Sequence, residues 1–181
     1  IAMIIDGGPV GIGIESTIID LTEDTPMVLR PGYITPQMLS KVLGKEVVID
    51  PGIIAADDTR KPKAPGMKYK HYAPKADMAI VDGTRKHVIA KINELVASHR
   101  DDGKKIAVIA TEETKQFYDA DVVLSMGSRA DEDSIAHELY RILRDCDELD
   151  VDVIFSESFS TPRIGQAIMN RMLKAAGHQV I

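Results

Sequence analysis

From residue 76 onward, apolar runs of strand type alternate with apolar stripes of helical period, and this alternation constrains the fold more than any other feature. MAIVDG is followed by a helical stretch from Thr84 to about His99, with Val88, Ile92, Leu95 and Val96 on one face. IAVIA leads into a short helix over EETKQFY. VVLSM leads into a helix from about Asp133 to Glu148, with Ile135, Leu139, Ile142, Leu143 and Cys146 on one stripe. After VDVIFSES comes a last helix, with Thr161-Pro162 as cap and first-turn pair, Ile164, Ala167, Ile168, Met172 and Ala175 on its apolar face, and Gly177 at its end. Strands that are apolar throughout and separated by helices belong in a parallel sheet covered by those helices. Residues 76–181 are therefore expected to form a small α/β domain, Rossmann-like or flavodoxin-like in type.

Residues 1–50 read differently, as short strands broken by glycines. IAMII and STIIDL are β-type runs separated by the turn-forming DGGPVGIG; MVLR is a third run and EVVID a further one. TPQMLSKVLG reads as a short helix with Thr35 as N-cap, Pro36 at its first position and Gly44 after its last turn. So few short strands make too small a core to stand alone, so this piece either packs on the rest of the chain or wants a partner from elsewhere. The apolar density at Ile1 is unlike a frayed terminus and reads as the interior of a domain.

Residues 51–75 have no periodicity and hold Pro51, Pro62, Pro65 and Pro74, which reads as a linker. Between Thr59 and Lys75 it carries Arg60, Lys61, Lys63, Lys68, Lys70 and Lys75 and no acid. In a chain of net charge −6, such a strip suits one anionic ligand or a solvated linker, and argues against a coat for a long polyanion. The core of the linker, YKHY, adds phenols and an imidazole: tyrosines either stack on an adenine ring or anchor the linker to a domain surface, and in both cases the segment docks.

Other motifs exclude more than they establish. GIGIESTIID lacks the third glycine of a dinucleotide loop, a Walker lysine and a following helix. In its Glu15-Ser16-Thr17 triplet, the Ser16 and Thr17 hydroxyls with the glycine-rich backbone amides either bind a carboxylate or phosphate or lie solvated in a hairpin. Arg30, at a strand end before Pro-Gly, is either a phosphate clamp or a surface arginine. The strand ends of the α/β domain (Asp82-Gly83, Ala110-Thr111, Met126-Gly127-Ser128 and Ser156-Glu157-Ser158) form no phosphate loop, so no cofactor is expected there. The histidines are scattered without ligand spacing, and the single cysteine, Cys146, reads as a core thiol and fits a reducing cytoplasm. No apolar run is long enough to span a membrane.

GIESTIIDL, then LRPGYIT, then APGMKYKHYAP, and the closing GQAIMNRMLKAAG after a strand ending in Glu-Ser together resemble one family: the two-domain L-threonylcarbamoyladenylate synthases. The resemblance implies the end of a YrdC-type α+β catalytic domain (1–50), a linker covering the active site (51–75) and a Rossmann-like auxiliary domain (76–181). It implies synthesis of threonylcarbamoyl-AMP from L-threonine, bicarbonate or CO2, and ATP, with release of pyrophosphate. That product serves threonylcarbamoyladenosine modification at position 37 of tRNA in the cytoplasm, through a downstream transfer machinery. Carried over by position, Ser16 contacts L-threonine, and Arg30 holds the nucleotide phosphates. Tyr69 and Tyr72, with Lys68 and His71, close over the nucleotide as a lid. Mg2+ is expected with ATP, but no complete metal site is visible in these residues. The long N-terminal part of the family pattern is absent, so the chain is expected to be a C-terminal portion, inactive alone.

Two rivals belong to other classes. One is an RNA-binding translation-factor module whose basic linker contacts tRNA; the acidic net charge weighs against it, and only the basic strip favours direct tRNA contact. The other is an α/β regulatory domain that senses a small ligand at its strand ends, around Ser128 and Glu157.

Overall fold

A computed structural model describes residues 1–8, 11–54, 63–64, 72–159 and 163–181. The first unit is a three-stranded sheet in the order β1 (Ile18–Asp20), β2 (Met27–Arg30), β3 (Val48–Ile49), antiparallel between β1 and β2 and parallel between β2 and β3. Helix α1 (Pro36–Leu43) links β2 to β3. It starts as its sequence dictates: the Thr35 side chain accepts from the Met38 amide, and Gly44 closes the helix in the left-handed conformation at φ 64°. The sheet has its own small core of Val28, Val47 and Ile53, with Ile19, Leu39 and Ile49 against it.

Three expectations for this unit are corrected. IAMII is not a strand: residues 1–8 have no secondary structure, and Ile1, Met3, Ile4 and Ile5 are exposed. A β-type run becomes a strand only where a neighbour satisfies its amides, and no described strand lies beside it. STIIDL and EVVID shrink to three and two strand residues for the same reason. Pro51–Ile54, read as the beginning of the linker, forms a turn of helix, α2, started by the Asp50 carboxylate, which accepts from the Gly52 amide at 2.7 Å.

The second unit is the expected parallel α/β sheet. Its strands β4 (Asp77–Val81), β5 (Ile106–Ala110), β6 (Val122–Ser125) and β7 (Val153–Glu157) lie in the order β4-β7-β5-β6, all parallel. Helix α3 (Arg85–Asp101) covers one face through Val88, Ile92 and Val96. Helices α4 (Glu132–Glu148) and α5 (Gly165–Ala175) cover the other, through the two stripes read from the sequence, Ile135 to Cys146 and Ile164 to Ala175. This division follows from handedness: the crossovers β4 to β5 and β5 to β6 run one way across the sheet and β6 to β7 runs back, so right-handed connections place α4 opposite α3. EETKQFY contributes only a turn of 3-10 helix, Lys115–Phe117. The expected Thr161-Pro162 cap lies outside the described residues; Glu132 accepts from the Ile164 amide at 2.7 Å at the start of α5. Beyond α5, Gln179 and Ile181 bond Ile80 along the outer edge of β4, so that edge is paired.

The two units share a boundary. Ile14 and Tyr33 of the first pack against the core cluster built from α4, α5 and the sheet, so the strand-rich piece finds its support within this chain.

Candidate active site

The antiparallel pairing of β1 with β2 sets Ile18 beside Arg30, and this brings the two separated motifs GIEST and LRPG together. The Arg30 guanidinium donates from Nε to the Ser16 carbonyl and from Nη2 to Ser16 Oγ, each at 3.0 Å. A second bond joins the two segments: Thr17 Oγ1 donates to the carbonyl of Ile34, four residues beyond Arg30, at 2.7 Å. Gly32 is required by this closeness, since a Cβ there would stand 2.3 Å from the Glu15 carbonyl oxygen. Beside the pair opens a cavity of about 410 Å³, lined by Glu15, Ser16 and Thr17 and by the apolar side chains of Ile12, Ile14 and Tyr33. An apolar cleft with two hydroxyls at one wall, one of them held by the Arg30 guanidinium, suits a small ligand with a polar end.

Glu15 lies between two arginines. Its Oε2 is 3.5 Å from Arg30 Nε and also contacts Arg171 Nη2, which comes from α5 of the other unit. Arg171 and Lys174, one turn apart on α5, are each only 3% exposed. Burial pulls Arg171 down to about 10. Burial, and then the positive charges of Arg171 and Arg30, bring Lys174 down to about 8. From sequence, Glu15 stands only as a member of the Glu15-Ser16-Thr17 triplet, and Arg171 and Lys174 are not singled out. The available signal was periodicity: Arg171 follows Ile168 by three residues and so falls on the apolar stripe of α5, where a cation is out of place.

The linker returns to described structure at Tyr72, whose backbone is in the left-handed region at φ 56°. Its ring meets the edge of Tyr140 on α4, centroids 4.8 Å apart. Lys75 then donates its amide to Asp147 Oδ1 at 2.7 Å, so the end of the linker is docked on α4. Tyr140 was not singled out from sequence; its hydroxyl is buried without a hydrogen-bond partner among the described residues, and burial raises its pKa. The other lid candidates, Lys68, Tyr69 and His71, lie outside the described residues. Of the basic strip, Lys63 pairs with Asp20 at 3.0 Å, and the Asp20 carboxyl is lowered to about 2, first by its hydrogen bonds from Thr22 and then by Lys63.

The strand ends of the α/β sheet form a second, smaller cavity of about 250 Å³, with Asp82, Arg85, Arg129 and Glu157 in its wall. Glu157 is buried there and accepts from the Tyr118 hydroxyl and from Arg129 Nη2, both at 2.6 Å. Ser128 donates to Glu113 at 2.6 Å, so the loops at this end are tied to one another. Cys146 is a buried thiol pushed up to about 12 by its apolar surroundings. Among the described residues, no group of three or more His, Cys, Asp or Glu side chains could hold a metal ion, and no helix is long and apolar enough to cross a membrane.

Comparison with known proteins converges on one family. The family described as threonylcarbamoyl-AMP synthase, C-terminal domain, matches residues 34–177. A threonylcarbamoyl-AMP synthase from Bacillus subtilis is 45% identical over 181 residues, all of this chain and 50% of the relative. One from Pyrococcus abyssi is also 45% identical, over all of this chain and 51% of its own length. The crystal structure of P. abyssi Sua5 complexed with L-threonine superimposes with a TM-score of 0.87 at 43% identity, covering 97% of this chain and 49% of that one. The chain thus spans about half the length of the curated relatives it matches. On the full-length sequence match and the shared fold, the chain belongs to the threonylcarbamoyl-AMP synthase family and carries its C-terminal domain.

Proposed function

We propose that the complete protein is an L-threonylcarbamoyladenylate synthase, a nucleotidyltransferase that joins L-threonine, bicarbonate or CO2, and ATP into threonylcarbamoyl-AMP and releases pyrophosphate. The activity belongs to the full length that the relatives have, and residues 1–181 alone do not carry it. Supporting this reading above all is Ser16, held by Arg30 at the wall of the 410 Å³ cavity, in a chain that matches an L-threonine complex over 97% of its length.

In this reading Ser16 presents its hydroxyl to the threonine carboxylate or amine, and Arg30 holds the nucleotide phosphates in the bidentate manner a guanidinium allows. Residues 1–50 close the catalytic domain, 51–75 form a lid, and 76–181 support both. Tyr72, docked on Tyr140, is the hinge-side contact of that lid, and Tyr69, Lys68 and His71 continue it over the nucleotide. Threonylcarbamoyl-AMP is a mixed anhydride that water hydrolyses, so a closing segment protects the product as well as ordering the substrates. The described residues do not fit a Mg2+ site, so Mg2+ would accompany the ATP phosphates. The product passes in the cytoplasm to the machinery that modifies position 37 of tRNA, and the net charge of −6 favours handing it on over gripping tRNA directly.

The test is pyrophosphate release from ATP by the complete protein, with and without L-threonine and bicarbonate. Release that requires both co-substrates is expected. Release independent of either, in a folded protein, would remove the synthase reading.

A further inference from the structure

We infer that Arg171, on the last helix of the α/β domain, is a positioning residue for the substrate loop, acting through Glu15 on Ser16 and Arg30. The inference rests on the proposed roles of Ser16 and Arg30.

The loop from Gly13 to Thr17 has no helix or strand of its own, so its shape is imposed by what it touches. Behind it stands α4: Gly13 is at φ 73°, and a Cβ there would lie 2.3 Å from His137 Cα and 2.5 Å from the Ala136 carbonyl oxygen. In front stands the Pro31-Gly32 turn, whose glycine lies against the Glu15 and Thr17 backbone. Between these walls one side chain of the loop, Glu15, reaches into the boundary between the units and meets Arg171.

A buried arginine on a core-facing helix is a local contradiction, because an apolar residue there would pack without loss of hydration. Such contradictions are retained where function requires them. Among the described residues Arg171 has one acidic contact, Glu15, and Glu15 is shared with Arg30. Arg30 in turn divides its guanidinium between the Glu15 carboxylate and the Ser16 hydroxyl. Arg171 draws the carboxylate toward α5 and leaves Arg30 Nη2 facing Ser16 Oγ. Without Arg171, the Glu15 carboxylate has only Arg30 to neutralise it, and Arg30 turns from the hydroxyl toward the stronger acceptor. The α/β domain thereby sets the geometry of the threonine end of the site from behind, touching no substrate.

The experiment is steady-state kinetics of the complete protein carrying Arg171→Met, Arg171→Lys, Ser16→Ala, or Ile92→Val as a stability control from the opposite face of the sheet. Arg171→Met is expected to raise the KM for L-threonine by about tenfold, the loss of roughly one charge-assisted contact, with a smaller change in kcat. Arg171→Lys should recover part of the loss, and Glu15→Gln combined with Arg171→Met should be no worse than Arg171→Met alone. Ile92→Val should lower the melting temperature without moving the KM. An Arg171→Met protein whose threonine KM equals that of the control overturns the inference, and so does full additivity of the double variant. If Ser16→Ala also leaves the threonine KM unchanged, the proposed role of Ser16 fails; if Ser16→Ala raises it and Arg171→Met does not, only the positioning role fails.

Discussion

Replacing Lys174 by Met should make the protein more stable near neutral pH, and the gain should vanish in alkali. Lys174 is 3% exposed, and its pKa falls from 10.5 to about 8, first through burial and then through the neighbouring charges of Arg171 and Arg30. Below pH 8 the ammonium is charged in both the folded and the unfolded chain, and the folded state bears the whole desolvation penalty. Between about 8 and 10.5 the folded protein gives up this proton while the unfolded chain keeps it, so stability rises with pH through that window. The displacement corresponds to about 3 kcal/mol. Methionine has similar length and no charge to desolvate, so it removes the penalty while filling the same space, less what the ammonium's own interaction in the folded state contributes. For a chain of this size the upper bound of that gain is a rise in melting temperature of roughly 6–12 °C at pH 7. Melting curves of both proteins at pH 7 and pH 10.5 test it. A variant no more stable than the parent at pH 7, or an advantage that persists undiminished at pH 10.5, would refute the reasoning.

Gly13→Ala combines a left-handed backbone with a Cβ inside van der Waals contact of α4, and should destabilise by at least about 2 kcal/mol in chemical denaturation. Tyr140→Phe removes a buried hydroxyl that has no partner among the described residues while keeping the ring against Tyr72; stability should be unchanged or higher by up to about 1 kcal/mol. In the complete protein, Arg30→Ala and Tyr72→Ala should each lower pyrophosphate release by at least about tenfold, and parental turnover in both would withdraw their assignment to the nucleotide.

The α/β half was legible because its information is local. The stripes Ile135 to Cys146 and Ile164 to Ala175 are visible in a window of a few turns, and each became a buried helix face. The order of the strands was not legible: nothing in VDVIFSES says that β7 inserts between β4 and β5, since all four strands are predominantly apolar. At the other end of the chain, IAMII has the composition of a strand and none of its pairing, because pairing depends on a neighbour that periodicity does not reveal. Ser16 and Arg30 were singled out from their motifs as candidate site residues, and the structure brings them within 3.0 Å of each other. The contact of Glu15 with Arg171 was missed because it joins residues far apart in sequence.

The place of β7 in the sheet bears on the order of events at the ribosome. During vectorial synthesis β4 emerges early but has no neighbouring strand until β7 follows it, so the centre of the sheet is left unfilled while most of the domain is already outside. The wall behind the Gly13–Thr17 loop comes from α4, and its last contact, from α5, is made later still. A nascent chain therefore displays the Ser16–Arg30 pair before α4 and α5 can back the loop that carries Ser16. The contact of Glu15 with Arg171 arrives only with the last helix, so unfinished products lack it.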